Sequence, residues 1–404
     1  MKKVSALILV LVMLFTNVYA AVVEVNVGKT DVNSLNNGEV KTITLEEAPY
    51  INESGRTMVP IRAITESFGA EVSWDGEKRE VTILNGEDRI VLTIDKAVAT
   101  VNGEEAVMDS APEIKGGRTF VPLRFIGEAL GYNLNYVAST RQIVIDDTKI
   151  AFKYNDAVFT MAEVEAFYNI YYQVSHDKGI ANGATEENIK MSALYAALET
   201  GINYVIVKGS FPEYGLNENG IADINASIKQ DEAYIKTPLT SISALCHEKL
   251  YYSNGAVAVY GLTNSETVKK MCEENYIRAK HILVEDEATA EEVLAKIAAG
   301  EDFDALVAEY GTDPGMERNK DGYVFTYGEM VKSFEDAAFS LEVDGISSPV
   351  KSDYGYHIIK REALGEIPSN VALGFAVQIF EEKISKAGQP EILVSEEELL
   401  EIIK

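Results

Sequence analysis

The sequence predicts a multidomain α+β protein, and three patterns along its 404 residues lead to that class. The N-terminal part repeats itself at an offset of 62 residues, each copy mixing strand-like and helix-like stretches. A middle region carries apolar residues at helical spacing. Toward the C-terminus, a strand–helix–helix–strand–helix–strand order implies a small sheet with helices packed on it. A chain of this length holds roughly two to four domains, enough for several independent cores.

Composition narrows the class further. Apolar content of 47% and charged content of 25% are those of a folded globular chain. The formal charge of −28 excludes nucleic acid and anionic membrane surfaces as natural partners. Lys2 and Lys3, the apolar run Ala6 to Phe15 and the closing Val18-Tyr19-Ala20 read as a secretory leader over residues 1–20. Cleavage is expected after Ala20, which implies a secreted, extracellular chain. No later apolar run reaches membrane-spanning length, so no membrane span is expected after cleavage. Cys246 and Cys272 are the only cysteines. A disulfide between them stays open at this point, and small apolar packing is the simpler reading.

In the first copy of the repeat, Arg56-Thr57-Met58-Val59-Pro60-Ile61-Arg62 aligns with Arg118-Thr119-Phe120-Val121-Pro122-Leu123-Arg124. The match continues through Ile64 and Ile126, Gly69 and Gly131, Trp74 and Tyr136, and Arg79 and Arg141. Each copy reads as a strand, a Pro-led helix, a Gly stop and a hairpin of alternating residues. These residues resemble the copper amine oxidase N-terminal-like, or stalk, domain, here in tandem over residues 21–149. The resemblance implies a spacer or attachment module. The arginines suit either a cell-wall polymer or structural ion pairs. No His-x-His motif occurs and no histidine precedes residue 150, so neither copper nor any other cofactor is expected.

Residues 150–275 turn helical. Thr160-Met161-Ala162-Glu163 is a capping-box pattern, followed by Val164, Phe167, Tyr168, Tyr171 and Tyr172 at helical spacing. Further helices are expected over about 192–208 and 244–252. The tyrosine stripe fits a core, with a peptide-binding face as the alternative. The position of this region before the last folded segment is similar to the helical, chaperone-like part of extracellular foldases of the PrsA and SurA type.

Residues 276–364 carry the chemistry. Two of the four histidines, His281 and His357, sit in β-branched strands of matching character. A histidine in such a strand most simply packs in a core, but two of them in one small segment point to a shared site. The strand 279–284 is followed by a helix expected to be capped at Thr289. A second helix carries Phe303, Leu306, Val307 and Tyr310, and a loop holds Asp313-Pro314-Gly315. A strand near 323–327, a helix from 332 to 340 and a strand 356–360 complete the order, and residues 365–404 read as a helical tail.

Lys280-His281-Ile282-Leu283-Val284, Gly328-Glu329-Met330-Val331-Lys332-Ser333-Phe334, Ala338-Phe339-Ser340-Leu341 and Gly355-Tyr356-His357-Ile358-Ile359-Lys360 resemble, in order, the motifs of the parvulin family of peptidyl-prolyl cis/trans isomerases. The resemblance implies a two-histidine centre at His281 and His357, with Asp313 and Ser352 bonded to it. It also implies a proline pocket walled by Phe325, Met330 and Phe334, the last two expected on one helix face. Isomerising an Xaa-Pro bond means breaking amide resonance over about 20 kcal/mol, without a covalent step. A dry apolar pocket and a hydrogen-bonded polar net suit that task. Bland readings remain beside these: Met330 and Phe334 as core, Asp313 as a turn cap.

The family's usual Gly-Gly-Asp-Leu-Gly is replaced here by Asp321-Gly322-Tyr323-Val324-Phe325, which alters the leucine wall. The loop after the first histidine is Glu285-Asp286-Glu287 where phosphate-directed parvulins are basic, which disfavours phosphorylated substrates. The expected partners are unfolded or partly folded secreted polypeptides with Xaa-Pro bonds. A non-catalytic holdase and a wall-binding surface protein are the rival readings.

Overall fold

The computed structural model describes residues 22–36, 39–235 and 241–404. The leader expected over residues 1–20 lies outside the described residues. The chain divides into two compact units, Met1–Ala258 with Lys386–Lys404, and Val259–Ser385.

In the first unit the repeats build one core between them. The hairpin Glu71–Asp75 and Glu80–Asn85 of the first copy is continued by Asp88–Thr93, Val98–Val101 and Glu104–Val107, which open the second copy. The matching hairpin of the second copy, Asn133–Val137 and Gln142–Asp146, is continued by Val22–Asn26, Asp31–Asn36 and Glu39–Thr44 from the first. Each copy thus lends three strands to the other's sheet. An isolated two-stranded hairpin is marginal in water and leaves its edges unpaired, so the exchange supplies what neither copy has alone. Between the two sheets, Thr57–Pro60 pairs with Arg118–Pro122, and Val59 lies opposite its own repeat-mate Val121. Val25, Ile64, Ile83, Ile90, Ile126 and Ile145 belong to one buried cluster.

The sequence reading of two small repeats is therefore sharpened: the repeat includes three leading strands whose partners lie in the other copy. Pro60 and Pro122 cap their helices from one residue before the first turn, with backbone still extended. Several of the repeated arginines are engaged in ion pairs: Arg56 with Asp109 at 2.5 Å, Arg118 with Glu46, and Arg79 with Asp95 at 2.8 Å. That supports the structural reading of these side chains.

The helical part of the same unit opens with the hairpin Ile150–Tyr154 and Ala157–Thr160. The Thr160–Glu163 capping box forms and starts the helix Met161–Ala181. The next helix runs Glu186–Ser210, longer than the apolar stripe predicted, because the Thr185 hydroxyl caps it early through Asn188 N. Phe167 and Tyr168 are buried, which supports the core reading of that stripe. Lys249, on the helix Ser241–Ser253, is 2% exposed and reaches Glu163 at 2.5 Å, while its neighbour Glu248 accepts from Ser139 N at 2.6 Å. The expected tail divides. The helix Ser369–Ser385 packs against Glu266–Asn275 in the second unit. Glu391–Ile392 then adds a strand beside Phe152, and Glu396–Glu401 packs on the helical core of the first unit.

The second unit holds a four-stranded antiparallel sheet in the order Tyr323–Phe325, Ile277–Val284, Gly355–Glu362, Val350–Ser352. Strand alternation sorts its side chains onto two faces. Ile282, Val284 and Ile358 pack under the helices Glu287–Ala298 and Phe303–Tyr310. Ile277, Ala279 and Ile359 face the helix Lys332–Ser340 with Phe325 and Phe334. The cap expected at Thr289 sits three residues earlier: Asp286 caps the first helix, accepting from Thr289 N at 3.0 Å.

Replacing Lys249 by Ala strands the Glu163 carboxylate in the interior, at a cost of about 3 to 5 kcal/mol. Urea unfolding followed by circular dichroism should show the transition of the first unit moving to lower denaturant, whereas Lys269→Ala, whose side chain is exposed, should leave it in place.

Candidate active site

Register brings the two histidines together. His281 lies opposite Ile359 and His357 opposite Leu283, so the imidazoles stand diagonally on the same sheet face. Their Nδ1 atoms are 2.9 Å apart and their rings lie within 17° of parallel. Both are buried, at 7% and 4% exposure.

Each ring has one further partner. His281 Nε2 lies 2.8 Å from Asp313 Oδ2, and His357 Nε2 lies 2.7 Å from Ser352 Oγ. These ends determine where the protons sit. A carboxylate only accepts, so His281 carries its proton on Nε2 and presents a bare Nδ1. His357 must then donate from Nδ1 and accept the Ser352 hydroxyl proton at Nε2. Ser352 Oγ in turn accepts from Tyr354 N at 3.1 Å. Every polar side-chain atom of this four-residue net is paired with both imidazoles neutral. Burial favours the same state: desolvation lowers the pKa of His281, and desolvation together with the neighbouring His281 pushes His357 down to about 4.

Asp313 opens the short helix Pro314–Arg318 and accepts from Gly315 N at 2.9 Å through Oδ1, so the same carboxylate caps the turn and accepts from His281. Burial opposes its charge, but the hydrogen bonds from His281, Gly315 and Tyr323 outweigh it and hold the carboxyl below its ordinary range.

The apolar side of the site is Phe334, whose ring meets His281 edge-on at 5.2 Å and His357 at 5.4 Å. Phe325 backs Phe334 at 5.7 Å and is 1% exposed, so it supports the wall more than it faces the mouth. Met330 is half-buried beside this cluster, but it does not share a helix with Phe334 as the sequence suggested. Gly328 takes φ 92° and turns the chain, Val331 is the N-cap, and the helix begins at Lys332. Met330 is held instead by its backbone N–H, which donates to the buried Glu335 at 2.7 Å. All seven residues expected at the site therefore gather in this unit. Motif reading missed Glu335 as a loop anchor and Tyr323 as a polar partner, whose hydroxyl donates to Asp313 Oδ2 at 2.8 Å. The spacing of Phe334 and Glu335 in the pocket helix carried no sign of the first, and the second depends on strand-to-loop distance.

A four-stranded sheet with two diagonal histidines, an acidic anchor and an aromatic wall defines the parvulin class of domain, and the comparisons agree. Residues 279–363 match the PPIC-type PPIase domain, and residues 35–145 match the copper amine oxidase N-terminal domain. The chain therefore carries a parvulin-type peptidyl-prolyl isomerase domain together with a copper amine oxidase N-terminal domain. It is 52% identical over 107 residues to the foldase protein PrsA of Geobacillus kaustophilus, covering 26% of this chain and 38% of that protein. Against foldase protein PrsA of Bacillus subtilis the identity is 49% over 86 residues, or 21% and 30% of the two chains. Among solved structures, NmPin, the parvuline of Nitrosopumilus maritimus, is 44% identical, matching 22% of this chain and 97% of its own with a TM-score of 0.21. The peptidylprolyl isomerase PrsA of Bacillus anthracis is 22% identical, matching 51% and 93% with a TM-score of 0.23. The chain spans well under half the length of the curated relatives it matches.

The depressed histidines set a pH dependence. An unfolded histidine takes up its proton near pH 6.5, whereas folded His357 does so only near 4. Between those values the unfolded chain binds more protons, so the contribution to stability is full above about pH 6.5 and is lost as pH falls toward 4. Urea midpoints of the second unit measured from pH 7 to 4.5 should fall, and His357→Gln should flatten that slope.

Proposed function

We propose that the protein is a phosphate-independent peptidyl-prolyl cis/trans isomerase that helps polypeptides fold outside the membrane. The observation that carries this reading is the closed hydrogen-bonded net of the Asp313 carboxylate, the neutral imidazoles of His281 and His357, and Ser352, set against Phe334 and Met330. A planar amide owes its barrier to resonance that places partial charge on oxygen and nitrogen. Moving it from water into a cleft of aromatic edges and neutral imidazoles weakens that charge separation, and the twisted amide gains relative to the planar one. The proline ring is gripped by Met330 and Phe334, while the net holds the floor in one geometry.

The same geometry disfavours covalent chemistry at Ser352. A histidine with a pKa of about 4 is too weak a base to take a serine proton at neutral pH, and its other nitrogen is committed to His281. Phosphate independence is supported by Glu285, Asp286 and Glu287, which line the loop after the first-histidine strand and repel a phosphoryl group. The extracellular location rests on the leader read at residues 1–20. No described helix is long and apolar enough to cross a membrane. Clients are proposed to be unfolded secreted polypeptides, in keeping with the foldase names of the relatives.

A direct assay of Xaa-Pro isomerisation on short peptides tests the reading. The parent protein should accelerate the reaction with no gain from a phosphoserine before the proline. Phe334→Ala and Met330→Ala should lower kcat/KM by about ten- to a hundredfold, the worth of one or two lost apolar contacts in a pocket. Aggregation suppression without any acceleration would favour the holdase instead.

A further inference from the structure

Tyr323 stands where the family's glycine- and leucine-bearing segment is altered, and its hydroxyl is built into the polar net. The phenol donates to Asp313 Oδ2 at 2.8 Å, the same oxygen that accepts from His281 Nε2 at 2.8 Å. Its ring meets His281 edge-on, at 5.9 Å and 84°. Room for the hydroxyl depends on Gly315, where any Cβ would collide with the phenol oxygen. Arg318 at the end of the same short helix and its C-cap Asn319 lie near the phenol and favour its charged form. The preceding Gly322 adopts φ 96° with Ala279 O close against it, which directs the chain so that Tyr323 enters the sheet opposite Ala279.

We propose that Tyr323 is a positioning residue of the isomerase site: it shares the Asp313 oxygen with His281, limits how strongly that carboxylate pulls on the imidazole, and so keeps the histidine pair neutral and in one tautomer. The proposal rests on the isomerase reading for its effect on rate, but not for its effect on the histidines. Two donors on one oxygen divide its basicity. With the phenol gone, Asp313 binds the His281 N–H more strongly and stabilises the imidazolium, and the coupled pair becomes easier to protonate. A charged ring would then face the buried aromatic wall, and its Nδ1–H would force His357 to give up the proton on Nδ1 and reverse its bond to Ser352.

The test uses the full chain, whose four histidines suit NMR titration with labelled imidazole carbons. Tyr323→Phe removes one oxygen. The titration midpoint of the His281–His357 pair should move up, and kcat/KM on an Xaa-Pro peptide should fall roughly three- to tenfold, the worth of one hydrogen bond. Gly315→Ala, which displaces the phenol without changing it, should move the midpoint in the same direction. A fall in rate with the pair's titration unmoved in both variants would overturn the proposal and leave Tyr323 a packing residue. An upward midpoint in a protein whose parent shows no isomerisation would support the role of Tyr323 in the net while overturning the isomerase reading.

Discussion

A single proton shared between the Nδ1 atoms of His281 and His357 constrains the isomerase domain around it. Two nitrogens at 2.9 Å admit one proton, so one ring donates and the other accepts. The ends of the chain choose which: Asp313 accepts from His281, and Ser352 donates to His357. Protonating both rings would set two N–H groups against each other in a buried place. The geometry therefore excludes two charged rings at once, and desolvation opposes even one. Phe334 thus lies edge-on to two neutral rings.

Around this net, backbone supports do what side-chain motifs only imply. The loop that carries Met330 is closed by two carboxylates, Glu329 accepting from Thr326 N at 3.0 Å and Glu335 accepting from Met330 N at 2.7 Å. Glu335 is 5% exposed, so this is an interior anchor and not a surface cap. Buried charge recurs in the first unit, where Glu163 and Lys249 join the start of one helix to another. In both places a carboxylate survives in the interior because it accepts specific hydrogen bonds, as burial of an ion requires.

The repeat in the first unit shows how strand edges govern assembly. Each copy leaves a hairpin edge that its own three leading strands do not fill, and the other copy fills it. The pairing of Val59 with Val121, one repeat apart, puts the pseudo-twofold axis of the arrangement through the central sheet. Internal periodicity identified the repeat, but nothing in a period tells which copy a strand will pair with.

Much of the protein was legible in its residues. Local signals of short range sufficed for the Thr160 capping box, the apolar stripes of the long helices and the alternation of the two histidine strands. The motif order from His281 to Lys360 placed every expected site residue in one unit. What only the tertiary structure decided was set by contacts between segments distant in sequence. The exchange of strands between repeats, the return of residues 391–401 to the first unit and the hold of Tyr323 on Asp313 all depend on such contacts. Met330 left the helix predicted for it because Gly328 turns the backbone and Glu335 anchors it, two effects that helical spacing does not contain. Side-chain pattern determined which faces are apolar and which segments meet in one unit. The direction of each hydrogen bond, and so the charge state of the two histidines, was decided by the groups that folding placed at the ends of the chain.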